Sequence, residues 1–130
     1  RRDILIQIDV RDRRPIYEQI VERGIELIGC GALKPGERLP PVRQLAAELS
    51  INPNTIQKAY SELEKRKITN TAPGRGSFVT ENYDMVKEQK VNELELRLAP
   101  IVREAKLFHV ALDTIVGWCR TEYEKAGESI

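Results

Sequence analysis

The 130-residue chain, 41% apolar and 32% charged, holds enough for one compact domain with an appendage. No run in it nears the roughly 20 apolar residues that span a bilayer, and its net charge of +1 divides unevenly: residues 1–80 carry 14 Lys and Arg against 10 Asp and Glu, residues 81–130 carry 7 against 10. Two distant cysteines (Cys30 and Cys119) and a single histidine (His109) argue against a disulfide framework, a zinc site and a paired acid–base site, so neither a cofactor nor enzyme activity is expected.

Ile4, Ile6 and Ile8 alternate with Leu5, Gln7 and Asp9, which predicts a short N-terminal strand with one face buried. The same stretch is charged at its start and too short in its apolar part for a signal peptide, so a soluble, cytoplasmic protein is expected. Arg11 to Arg14 reads as a charged linker. Pro15 then opens a helix with Tyr17, Ile20, Val21, Gly24, Leu27 and Ile28 on one side, and Gly29-Cys30-Gly31 stops it. Lys34 to Glu37 is a turn.

From Arg38 the pattern tightens. Val42, Leu45, Ala46 and Leu49 recur at the spacing of one buried helical face. After the brief turn at Ser50-Ile51, Asn52-Pro53 is a strong helix start, because Asn is a preferred N-cap and Pro at the first helical position loses no bond. Ile56, Ala59, Tyr60 and Leu63 form the buried face of this second helix, while Asn54, Thr55, Gln57, Lys58 and Ser61 form a polar one. Past Lys67 the period changes to two short extended runs, Ile68 to Thr71 and Ser77 to Val79, flanking Pro73-Gly74-Arg75-Gly76.

Two helices joined by a short turn and followed by a hairpin predict a winged helix-turn-helix. Its second helix would enter a DNA major groove N-terminus first, with Asn54, Thr55 and Gln57 at base edges. Gly74, Arg75 and Gly76 would form a wing tip able to reach the minor groove. The bland alternative is a solvated hairpin whose Arg serves solubility. Between Arg38 and Thr80 there are 7 basic and 3 acidic residues, which is consistent with a partner made of phosphates.

Residues 15–79 resemble the DNA-binding domain of the GntR family of bacterial transcription regulators. The matching motifs are Pro-Ile-Tyr-Glu-Gln-Ile at 15–20, Leu-Lys-Pro-Gly-Glu-Arg-Leu-Pro at 33–40, Val-Arg-Gln-Leu-Ala at 42–46, Asn-Pro-Asn-Thr-Ile-Gln-Lys-Ala-Tyr at 52–60 and Pro-Gly-Arg-Gly-Ser-Phe-Val at 73–79. The helix start and the short tail look most like the YtrA-like subfamily. The resemblance implies that Arg38 and Arg43 approach the DNA backbone or a base edge, and Asn52 and Lys58 are expected to hold phosphates or a neighbouring guanine with them. The chain departs from the family pattern at Pro41, where a capping Ser is common, and at Ser50 and Lys67, where Gly is common. In the tail, relatives tend to have Gly at His109 and Ser at Ala111.

Beyond Thr80, Glu81 to Asp84 reads as a linker ending in a helix cap. A long helix is expected from Met85, with Leu94, Leu98, Ile101, Val102, Ala105 and Phe108 on one stripe and a kink at Pro100. After a break near His109, Leu112, Ile115, Val116, Cys119 and Tyr123 form a second stripe beside Trp118. Two such helices cannot hide their stripes alone, which predicts a homodimer built on this segment. The fold expected is mainly α with a small β-wing: a winged helix-turn-helix over residues 1–80, then a C-terminal α-helical hairpin for dimerisation over 81–130. That tail is too small for a metabolite pocket of about 300 Å³ or more, and whether a small-molecule effector exists stays open. The function expected is a sequence-specific regulator, a repressor seated as a homodimer on a palindromic double-stranded operator. Two alternatives stand beside it: the leading part of a MocR-type regulator, and a winged helix that binds protein.

Overall fold

The computed structural model describes residues 6–129, without the side chains of residues 128 and 129. In chain order its elements are α1 (Ile16–Gly29), α2 (Val42–Leu49), α3 (Pro53–Lys65), β1 (Thr69–Ala72), β2 (Gly76–Val79), α4 (Tyr83–Leu107) and α5 (Leu112–Ser129). They fall into two compact units, Arg1–Lys87 and Glu88–Ile130. No described helix is long and apolar enough to cross a membrane.

The core of the first unit gathers the apolar faces of α1, α2 and α3 together with Leu33, Leu39, Ile68, Val79 and Val86. Ile20, Ile28, Leu45, Ile56 and Ile68 are its largest fully buried side chains. Complete burial of side chains of this size contributes about 1.5–3 kcal/mol each. α1 and α3 meet at Gly24, whose absent side chain faces Leu63. Tyr83, in the first turn of α4, also joins this unit: its hydroxyl donates to the Gly29 carbonyl at 3.0 Å. The cap of α4 is Asn82, whose side chain accepts from the Met85 amide at 3.1 Å, rather than Asp84 at the end of the linker.

β1 and β2 pair antiparallel, Thr69 opposite Val79 through Ala72 opposite Gly76. A third edge runs along β2. Arg38 bridges Phe78, the Leu39 amide donates to Ser77, and the Val79 amide donates to Glu37. The segment before α2 is thus bonded to the wing.

The N-terminal strand is corrected. Residues 6–9 form none; Ile4 and Leu5 lie outside the described residues. The alternation was real in burial, since Ile6 is buried, Gln7 exposed and Ile8 packed on the core. A ladder is replaced here by one buried side chain. Gln19 accepts from the Asp9 amide at 3.0 Å and donates to the carbonyls of Asp9 and Arg14, both at 3.1 Å. Arg14 in turn ion-pairs with Asp12 and Glu22. Its guanidinium holds the Asp12 carboxyl below the usual range.

Candidate nucleic-acid interface

The proposed reading helix is positioned at both of its ends. At its start the Asn52 side-chain oxygen accepts from the Asn54 amide at 2.8 Å, with Pro53 in the first helical position. That bond uses the oxygen of Asn52 and leaves its amide N–H groups outside the cap. No acidic residue lies in the first turn of α3, whose N-terminus is the positive end of the helix dipole. Inward, the Tyr60 hydroxyl donates to the Pro40 carbonyl at 2.6 Å, tying α3 to the lead-in of α2. Burial, helped by Glu48, pushes this phenol well above its ordinary range, so it stays protonated as a donor.

Outward, Asn54, Gln57 and Lys58 are exposed and Thr55 is half-buried, so the polar face read from the spacing is solvent-facing. The Gln57 amide reaches Ser61 Oγ at 3.4 Å, one turn along the same face. Lys58 Nζ lies 4.0 Å from the ring centroid of Tyr17, an aromatic contact that steadies the ammonium without neutralising it. The acidic residues of α3 stand at its other end, where Glu62 pairs with Arg66 at 2.8 Å and is held below the usual carboxylate range by it.

Arg43 on α2 and Arg75 in the wing turn are exposed, as is Arg38, and none of the three forms an ion pair among the described residues. The Arg75 amide closes the hairpin turn by donating to Ala72 at 2.8 Å. Gly74 and Gly76 both take positive φ, 77° and 116°. Around Gly74 the place of a side chain is open space. At Gly76 it is filled: a Cβ there would stand 2.8 Å from Arg38 Nε and 3.3 Å from Nη2.

Pairing of residues 36–39 with β2 was not anticipated. A stretch of four residues containing a turn glycine and two charges carries no period, and only the hairpin's own edge shows where it must go. The Tyr17–Lys58 contact was equally hidden, because it joins residues 41 positions apart in the chain.

The residues assigned to dimerisation are placed along α4 and α5. Leu94, Leu98, Ile101, Leu112, Val116 and Cys119 are exposed, Val102 and Ala105 half-buried, and Ile115 buried. Trp118 and Tyr123 are exposed too, at 51% and 84%. α4 runs through Pro100 without a break.

Residues 16–79 match the family model described as "Bacterial regulatory proteins, gntR family". The chain is 40% identical over 117 residues to the HTH-type transcriptional repressor YtrA of Bacillus subtilis (strain 168), across 89% of this chain and 90% of that protein. Among solved structures, a transcriptional regulator from Oenococcus oeni superposes with a TM-score of 0.76 at 34% identity, covering 89% of this chain and 97% of the other. YtrA from Sulfolobus acidocaldarius, a GntR-family transcription factor, gives a TM-score of 0.57 at 35% identity, covering 71% and 99%. These relatives are transcription regulators, a class without enzymatic activity. With the family match running from α1 to the end of β2 and a relative alongside nearly the whole chain, this protein belongs to the GntR family of bacterial regulatory proteins, in its YtrA-like branch, and carries that family's DNA-binding domain.

Proposed function

We propose that this regulator is a cytoplasmic repressor that occupies a palindromic operator as a homodimer, with residues 1–80 reading DNA and 81–130 joining the two copies. The observation that carries the reading is the edge of α3: a capped N-terminus free of acidic residues, with exposed Asn54, Gln57 and Lys58 beside Thr55. Asn54, Thr55 and Gln57 meet base edges. Asn52, Lys58, Arg38 and Arg43 hold phosphates or a neighbouring guanine, and Gly74, Arg75 and Gly76 form the minor-groove tip. Repression follows from occupancy of a promoter, in keeping with the name of the Bacillus relative. The exposed apolar stripes of α4 and α5 support pairing with a second copy.

Selecting bound fragments from genomic DNA tests the reading. Two inverted half-sites are expected, their centres about 34 Å or a multiple apart. Binding should weaken steeply as salt rises, because each neutralised phosphate releases counterions. Arg43→Ala and Thr55→Ala should each weaken operator binding by about 1–3 kcal/mol if the lost contact is a good one to a base. Parental affinity in both variants would remove α3 and Arg43 from the interface. Binding absent or indifferent to salt would favour a protein partner instead.

A further inference from the structure

We propose that Gly76 is a positioning residue for Arg38: its missing side chain is the seat in which the guanidinium lies. The inference rests on the DNA reading above and reassigns Gly76 within it, from a residue that touches the minor groove to one that aims another. The two wing glycines differ in what surrounds them. A Cβ on Gly74 would meet nothing within 4 Å, whereas a Cβ on Gly76 would meet Nε, Nη2 and Cζ of Arg38 at 2.8, 3.3 and 3.5 Å. Gly74 is the open tip and Gly76 is covered.

The backbone holds the other end of the same side chain. Arg38 bridges Phe78 of β2, and its neighbour Leu39 donates to Ser77 at 2.8 Å. Main chain and guanidinium of Arg38 therefore both rest on β2, and Arg38 is in none of the ion pairs between described residues. A long, mobile side chain loses rotamer freedom on binding, and one already laid against the wing has less to lose. A methyl group at position 76 would push the guanidinium aside. Because what moves is a flexible side chain, that displacement itself should cost binding far more than it costs folding.

The test is a double-mutant cycle on full-length protein and a duplex taken from the genomic selection. With Arg38 present, Gly76→Ala should lower affinity about tenfold more than it does in the Arg38→Ala background. Gly74→Ala should cause the same loss in both backgrounds. Equal losses for Gly76→Ala in both backgrounds would show that position 76 acts through its backbone alone and overturn the proposal. A second measurement needs no variant. In the DNA-free protein the heteronuclear NOE of the Arg38 Nε–H should approach backbone values, and a value typical of a freely turning side chain would overturn the seat. That measurement decides if Gly76→Ala unfolds the wing. It also decides if the parent binds no duplex, an outcome that would defeat the DNA reading separately.

Discussion

Ser50, Lys67 and His109 are the non-glycine residues with positive φ among those described, at 57°, 65° and 63°. Each ends a helix in the same way. The amides of Ile51, Ile68 and Val110, one residue further on, donate back to the carbonyls of Ala46, Leu63 and Ala105, all at 2.9 Å. This closure satisfies carbonyls that the helix end would leave bare, and it requires a left-handed residue, which glycine supplies without a steric penalty. A side chain there costs about 1–2 kcal/mol, partly offset by the roughly 0.5–1 kcal/mol that glycine loses in backbone freedom. Ser50→Gly, Lys67→Gly and His109→Gly should therefore each stabilise the fold, by up to about 1 kcal/mol, as read from urea unfolding midpoints. A lower midpoint in all three would mean that these side chains hold contacts beyond their backbone role. The positions are legible in the sequence because they are where the chain leaves its family's pattern. Pro41 belongs with them: α2 has no side-chain cap, the bond that a Ser there would supply. Gln19 was not visible, since a polar residue on an amphipathic helix gives no sign that it will be buried as a clamp.

At the scale of the element, α1, α2 and α3 were legible because each has an apolar face repeating at helical spacing and a marked end. The wing was legible through its turn residues, although β1 lies one residue later than the expected run and β2 begins one residue earlier. What could not be read was the edge that pairs with β2, or that Ile6 and Ile8 pack on the core without making a ladder. Strand pairing depends on what stands beside a segment in space, and four or five residues carry too short a period to reveal a partner. The α1–α3 contact offers a test of how tightly the elements pack. Gly24 sits inside α1, and a Cβ added there would meet Leu63 at 3.6 Å, an ordinary van der Waals distance. Glycine inside a helix costs about 0.8–1.0 kcal/mol relative to alanine. Gly24→Ala should thus stabilise the protein by about that amount in thermal or urea unfolding. Destabilisation would mean that the two helices approach more closely than these distances show.

For the whole molecule, the question is what covers the tail. A monomer that leaves Leu94, Leu98, Ile101, Leu107, Phe108, Leu112 and Val116 between 43% and 74% exposed presents more apolar surface than scattered single residues explain. The same two helices carry more acidic than basic side chains, so they are poorly suited to a phosphate backbone. The proposed second copy would meet both conditions, covering the apolar faces and linking two reading heads. Linkage turns the second half-site contact into an intramolecular event, which raises overall affinity by about 10²–10⁴ without any new contact. Leu98→Glu places a charge where the two copies would meet, in a unit separate from the one that holds α3. The parent should sediment as a dimer and the variant as a monomer at the same concentration, and the variant's affinity for a two-site operator should fall by about a hundredfold or more. Its affinity for a single half-site should stay at the parental value, and its salt slope on the full operator should drop by about half, because half as many phosphates are neutralised at once. A variant that keeps the parental mass would place the dimer contact elsewhere. A monomer that still bound the full operator like the parent would show that one chain reads it alone.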